Sequence, residues 1–122
     1  MKKIYIAEDE KHIRSLIKTF LTHFDYEVEA FENGDLLLDA FDKSPADMVI
    51  LDVMMPGSCG FSICRKIRQG SDVPVIMLTA RDSHEDYTEG LNAGTDDYLV
   101  KPFSPQTLIK RMDEIFTRRS FV

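Results

Sequence analysis

Five short apolar or β-branched runs, each followed by a stretch of helical character, punctuate this chain: "KIYIA" (Lys3 to Ala7), "YEVEAF" (Tyr26 to Phe31), "MVILD" (Met48 to Asp52), "VPVIMLT" (Val73 to Thr79) and "YLVK" (Tyr98 to Lys101). Strand and helix in strict alternation constrain the fold more than any other feature. Each crossover must return to the same sheet with right-handed geometry, so the outcome is a parallel sheet with helices on both faces. The third and fourth runs are apolar almost throughout, as interior strands covered on both sides require. "YEVEAF" alternates instead, and reads as an edge strand.

The helices between these runs differ in strength. "KHIRSLIKTFLTHF" sets Ile13, Leu16, Ile17, Phe20, Leu21 and Phe24 on one predicted buried face. "SPQTLIKRMDEIFTRR" does the same with Leu108, Met112, Ile115 and Phe116, opening with Ser104 as N-cap and Pro105 at the first helical position. Shorter helices are predicted over Gly34 to Lys43, Gly60 to Arg68 and Ser83 to Gly94. The last carries few apolar residues besides Tyr87 and Leu91, so it is expected to be the most loosely held element.

At 122 residues the chain is expected to form one domain spanning residues 1–122, with no internal repeat or linker. The net charge of −6 argues against direct nucleic-acid binding by this segment, because phosphate contacts need a basic surface. No signal peptide or membrane-spanning run is found, and the two cysteines, Cys59 and Cys64, have neither metal-ligand spacing nor a disulfide framework. A cytoplasmic protein with reduced thiols is expected. His12, His23 and His84 fall in polar helical stretches and are read as surface residues, while the methionines, mostly in or next to apolar segments, are read by default as core filling.

In an open parallel sheet, ligands gather beyond the carboxyl ends of the strands. Those ends carry Glu8 and Asp9 after the first strand, Asp52 after the third, Thr79 after the fourth and Lys101 after the fifth. Three carboxylates together repel one another unless a cation shares the site. Mg²⁺ suits such a group, because it prefers hard oxygens and leaves positions for water and phosphate. Asp9 and Asp52 are candidate ligands, with Glu8 holding a metal-bound water and a backbone carbonyl in the turn after Asp52 adding another oxygen. The Lys101 ammonium and Thr79 hydroxyl would then receive a phosphoryl group, and Asp52, central and followed by a turn with Pro56, Gly57 and Gly60, is the candidate nucleophile. Taken singly these residues read more plainly: Asp9 as the N-cap of a helix from Glu10, Lys101 as solvated, Thr79 as an ordinary strand end. Their joint placement at one rim is what makes a site.

The segments "AEDE", "ILDVMMPGSCGF", "MLTA" and "DDYLVKPFSP", in that order and over essentially the whole chain, resemble the receiver domain of two-component response regulators. The resemblance implies a flavodoxin-like (βα)5 fold with strand order 2-1-3-4-5, and a sensor histidine kinase that donates a phosphoryl group to Asp52. It implies Mg²⁺ held by Asp9, Asp52 and the main-chain carbonyl of Met54, with Glu8 assisting. It also implies contacts of Lys101 and Thr79 to the phosphoryl group, a rotamer change of Tyr98 coupled to Thr79, and a cis bond at Lys101–Pro102. "DVMMPGSCGFSICRKIR" and "KPFSPQTLIKRMDEIFTRR" look most like the branch whose receivers are joined to a winged-helix DNA-binding domain, the OmpR/PhoB type. Such receivers often form homodimers through the fourth helix, fifth strand and fifth helix, using charged pairs. Asp96, Asp97, Arg111 and Arg118 fit that surface, whereas Tyr87, Ala93 and Thr107 replace its usual charged residues and leave Tyr87 to offer an apolar contact.

Two other readings of the strand-end aspartate fit less well. A phosphatase of the haloacid-dehalogenase type needs a second Asp two residues after the nucleophile, where this chain has Met54. A flavin-binding module needs a hydroxyl-rich loop after the first strand, where this chain has "EDE".

Overall fold

The computed structural model describes residues 1–55, 59–80 and 93–120. Their elements run β1 (Lys3–Ala7), α1 (Lys11–His23), β2 (Glu27–Phe31), α2 (Gly34–Lys43), β3 (Met48–Asp52), α3 (Gly60–Arg68), β4 (Val75–Thr79), β5 (Asp97–Val100) and α4 (Pro105–Ser120). All strands are parallel, in the order β2-β1-β3-β4-β5. The chain is thus an α/β flavodoxin-like doubly wound sheet, as the alternation required. The helix expected over Ser83 to Gly94, with Tyr87, Leu91 and His84, lies outside the described residues except at its last two positions.

Strand geometry sends alternate side chains to opposite faces, and the core divides accordingly. Ile4 and Ile6, Met48 and Ile50, and Ile76 and Leu78 pack with Ile17 and Leu21 of α1 and with Leu108, Met112 and Ile115 of α4. Tyr5 and Ala7, Val49 and Leu51, and Val75 and Met77 pack with Leu37 and Phe41 of α2 and with Phe61, Ile63 and Ile67 of α3. β3 is buried along its whole length between β1 and β4, which explains why its sequence does not alternate. β2 is an edge, as expected.

Three local outcomes differ from the sequence expectation. The N-cap of α1 is Glu10, whose carboxylate accepts the N–H groups of His12 and Ile13, so Asp9 is not the cap and its side chain is left exposed at the rim. Leu16 and Phe24 were expected on the buried face of α1, but they are 64% and 46% exposed, because Ile17 and Leu21 alone reach the sheet and Ile13 and Phe20 flank them. β4 begins at Val75 and β5 at Asp97, each displaced by a residue or two from the apolar run. At the start of β4, Pro74 contributes only its carbonyl, which accepts the Val49 N–H at 2.9 Å.

Two glycines allow close approaches. A Cβ on Gly34 would sit 2.3 Å from the Ile63 side chain, so α2 and α3 touch there. A Cβ on Gly60 would meet the Asp52 carbonyl oxygen at 2.5 Å and the Val53 Cα at 3.0 Å. Gly60 therefore lets the N-terminus of α3 press against the end of β3, where its N–H donates to the Val53 carbonyl at 3.0 Å.

Candidate functional site

Parity along the strands decides which strand-end residues meet. Glu8 continues the face of Ile4 and Ile6, Asp52 that of Met48 and Ile50, and Lys101 that of Leu99, so all three turn toward the α1 and α4 side. Ala7 pairs with Leu51, which brings Glu8 and Asp52 off adjacent strands at the same level. Lys101 follows β5 directly, with its N–H donating to the Thr79 carbonyl at 2.6 Å.

The result is a buried charged knot. The Lys101 ammonium donates to Glu8 Oε1 at 2.7 Å and to Asp52 Oδ2 at 2.8 Å, and only 1% of Glu8 and 5% of Asp52 is exposed. Asp52 Oδ1 accepts the Met54 N–H at 3.0 Å, which steadies the carboxylate against the turn that follows. Glu8 Oε2 accepts the Glu10 N–H at 3.2 Å. Carboxylate oxygens of Glu8, Asp9 and Asp52 all lie within 4.8 Å of one another.

Electrostatics follow from this crowding. Burial pushes the Glu8 carboxyl up to about 7, reinforced by the adjacent Asp52 and opposed by Lys101 and the Glu10 N–H. Burial also works against the Lys101 charge, but its hydrogen bonds and Coulomb attraction to Asp52 and Glu8 outweigh that, and its pKa lies above the ordinary lysine value. One ammonium against three acids leaves the cluster short of positive charge. Closely spaced hard oxygens with a charge deficit match what Mg²⁺ takes as ligands.

Thr79 and Tyr98 fall on the opposite parity. Thr79 continues the register of Val75 and Met77 and is fully buried, while Tyr98 is half-buried and packs against the core on the α2 and α3 side. They share a face of neighbouring strands, beside the charged knot and not within it. The Lys101–Pro102 peptide bond is cis. Pro56 and Gly57 lie outside the described residues.

Of the residues expected on an intermolecular surface, Asp96 and Asp97 already have partners within the chain. Asp96 accepts from Arg68 at 3.0 Å, from Arg119 at 3.1 Å and from the Val75 N–H at 2.8 Å. Asp97 pairs with Arg111 at 3.0 Å. Arg118 is exposed on α4 and Ala93 is buried, while Tyr87 lies outside the described residues.

Two arginines with evident roles carried no motif. Arg68, the last residue of α3, donates to the carbonyls of Val73 and Gly94 and to the Asp96 carboxylate, tying α3 to the starts of β4 and β5. Arg14 donates through one guanidinium nitrogen to the carbonyls of Glu8, at 2.8 Å, and Asp9, at 3.3 Å. A basic residue four positions after the helix cap was the available signal for Arg14.

Comparison with known proteins agrees with this geometry. The family model described as the response regulator receiver domain matches residues 4–113. ResD of Bacillus subtilis, a transcriptional regulatory protein, is 40% identical over 118 residues, covering 97% of this chain and 49% of ResD. The receiver domain of the Francisella response regulator 1452 superposes with a TM-score of 0.91 at 36% identity, covering 98% of this chain and 99% of that one. The BeF3-activated N-terminal receiver domain of Klebsiella pneumoniae RstA gives 0.86 at 32% identity, covering 91% and 95%. The chain belongs to the response regulator receiver domain family. It spans about half the length of the curated relatives it matches.

Proposed function

We propose that Asp52 accepts a phosphoryl group from a sensor histidine kinase in a Mg²⁺-dependent reaction, and that the modified domain switches conformation to control an output. The observation that carries this reading is the Lys101 ammonium seated between the buried carboxylates of Asp52 and Glu8, with Asp9 at the open edge of the group. The carboxylates of Asp9 and Asp52 and the Met54 carbonyl would hold Mg²⁺, with Glu8 acting through water. Bound there, the ion supplies the positive charge that lets an incoming phosphoryl group approach three acids.

The chain's own residues do the rest. An Asp52 carboxylate oxygen attacks phosphorus as the bond from phosphorus to the donor imidazole nitrogen breaks, and the electron pair returns to the imidazole. Lys101 moves from ion-pairing with the free carboxylate to contacting a phosphoryl oxygen, so its charge is retained where negative charge accumulates. Thr79 donates its hydroxyl to another phosphoryl oxygen, and Tyr98, on the same face of the next strand, takes up the space that Thr79 leaves. The domain catalyses its own modification and is not a turnover enzyme.

The output is transcription, through a winged-helix DNA-binding half joined to residues 1–122 in a cytoplasmic protein, as the match to about half of ResD supports. The acidic domain itself does not contact nucleic acid. Among the described residues, no helix is long and apolar enough to cross a membrane. A homodimer through the fourth helix expected from the sequence, the fifth strand and α4, which is the expected fifth helix, trades intrachain pairs of Asp96 and Asp97 for contacts with Arg111 and Arg118 of a second copy, with Tyr87 as the candidate apolar contact.

Incubation with acetyl phosphate and Mg²⁺ tests the central claim. One added phosphoryl mass is expected on the wild type and none on Asp52→Ala or in excess EDTA. An unmodified wild type, or equal modification of Asp52→Ala, refutes it.

A further inference from the structure

We infer that Arg14 is a positioning residue for the divalent cation: it fixes the main chain from which two acids of the cluster project. The inference rests on the reading of that cluster as a Mg²⁺ site. Arg14 lies on α1, and one of its guanidinium nitrogens takes the carbonyls of both Glu8 and Asp9, at 2.8 and 3.3 Å. Its own N–H bonds the Glu10 carbonyl at 2.9 Å, so a single residue gathers three consecutive carbonyls of the turn between β1 and α1.

The need for such a clamp differs between the two acids. Glu8 is already held at its N–H by the Phe31 carbonyl and at its carboxylate by Lys101 and the Glu10 N–H. Asp9 follows the strand and precedes the helix cap, its side chain is exposed, and Arg14 is what grips its carbonyl. Rotation of the peptide planes on either side of Asp9 swings its carboxylate away from Asp52. Groups that orient metal ligands from one layer out are commonly worth about ten- to a hundredfold in metal affinity.

Electrostatics alone predict the opposite sign. A fixed guanidinium beside an acid cluster repels a dication, so an Arg14 that merely sat nearby would weaken Mg²⁺ binding, and its removal would tighten it. The sign of the change therefore separates positioning from proximity. A guanidinium that only supported the fold would alter the melting temperature and leave the affinity of the folded protein alone.

Calorimetric titration of Mg²⁺ into the purified chain, alongside thermal melts in EDTA, decides between these. Arg14→Met keeps the aliphatic stem and loses the donors; its Kd for Mg²⁺ is expected to rise about tenfold. Arg14→Lys, which restores charge and a donor, recovers part of that loss. Arg14→Gln, with a neutral amide donor, falls between Met and Lys, and serves as the deciding variant if Arg14→Met does not fold. Tyr26→Phe, which removes the hydrogen bond to Asp113 at the opposite end of β2 from the cluster, is expected to lower the melting temperature without changing Kd. An unchanged or tighter Kd in Arg14→Met or Arg14→Gln overturns the inference, whereas a wild type that takes up no Mg²⁺ overturns the magnesium reading and the inference with it.

Discussion

Lys101 and Glu8 decide the chemistry of the rim at the scale of single residues, because Glu8 is buried and Lys101 half-buried, each beside the other's opposite charge. Breaking such a buried pair leaves an uncompensated ion and costs about 3 kcal/mol. Lys101→Met is accordingly expected to lose about that much in urea denaturation at pH 8 without Mg²⁺, and to lose less at pH 5, where Glu8 is protonated. Glu8 supplies its own pH signature. Its carboxyl is raised from 4.5 to about 7, so between those values the folded protein holds a proton that the unfolded chain has released. That contribution is complete below pH 4.5 and is lost as the pH rises through about 7. In EDTA, the melting temperature of the wild type relative to Glu8→Gln should therefore fall across this window, and a flat difference refutes the assignment. Asp9, Asp52 and Lys101 were legible as strand-end residues. The Lys101 bridge was not, because the sequence does not say which carboxylates an ammonium reaches.

At the scale of elements, the joint between β3 and α3 is the tightest piece of construction near the site. Gly60 admits the helix N-terminus to within contact of the Asp52 main chain. Gly60→Ala must push backbone against backbone, and is expected to cost about 1–3 kcal/mol in denaturant titration and to slow phosphorylation by displacing Asp52. The cap of α1 makes a second, milder prediction. Hydrogen bonds from the Ile13 and His12 N–H groups hold the Glu10 carboxyl below the ordinary carboxylate value. Its stabilisation is present above pH 4.5 and is lost as the pH falls through the depressed value, so Glu10→Gln should flatten the acid limb of the melting profile. Helix and strand spans were readable almost to the residue wherever periodicity and punctuation agreed, as for α2 and α3. The cap was not, since Asp9 and Glu10 are both acids in the right place, and only the turn geometry chooses which faces the free N–H groups. Leu16 and Phe24 were misplaced for a related reason: the helical pattern marks an apolar face, but the angle at which α1 meets the sheet decides how much of it is covered.

The whole molecule sets the conditions for the proposed switching and association. With Asp96 bound to Arg68 and Arg119 and Asp97 bound to Arg111, the proposed dimer face enters solution with both aspartates paired within one chain. Exchange of such exposed pairs between copies yields little net energy, so association should depend on the switch and on salt. Sedimentation with Mg²⁺ and beryllofluoride is expected to give a dimer that the untreated chain does not form and that high salt dissolves. A monomer under both conditions removes the dimer from the proposal.

Alternation of strand and helix determined the architecture, because connection handedness leaves a parallel sheet few alternatives, and the same alternation placed three carboxylates, a hydroxyl and an ammonium at one rim. Tertiary structure alone decided their arrangement. Strand parity put Glu8, Asp52 and Lys101 on one face and Thr79 with Tyr98 on the other, and register brought Glu8 level with Asp52. Pairings such as Lys101 with Glu8 and with Asp52, and Arg68 with Asp96, span contacts whose distances depend on how the elements seat. No local pattern encodes them, since electrostatic attraction acts between any opposite charges that the packed core happens to bring within reach.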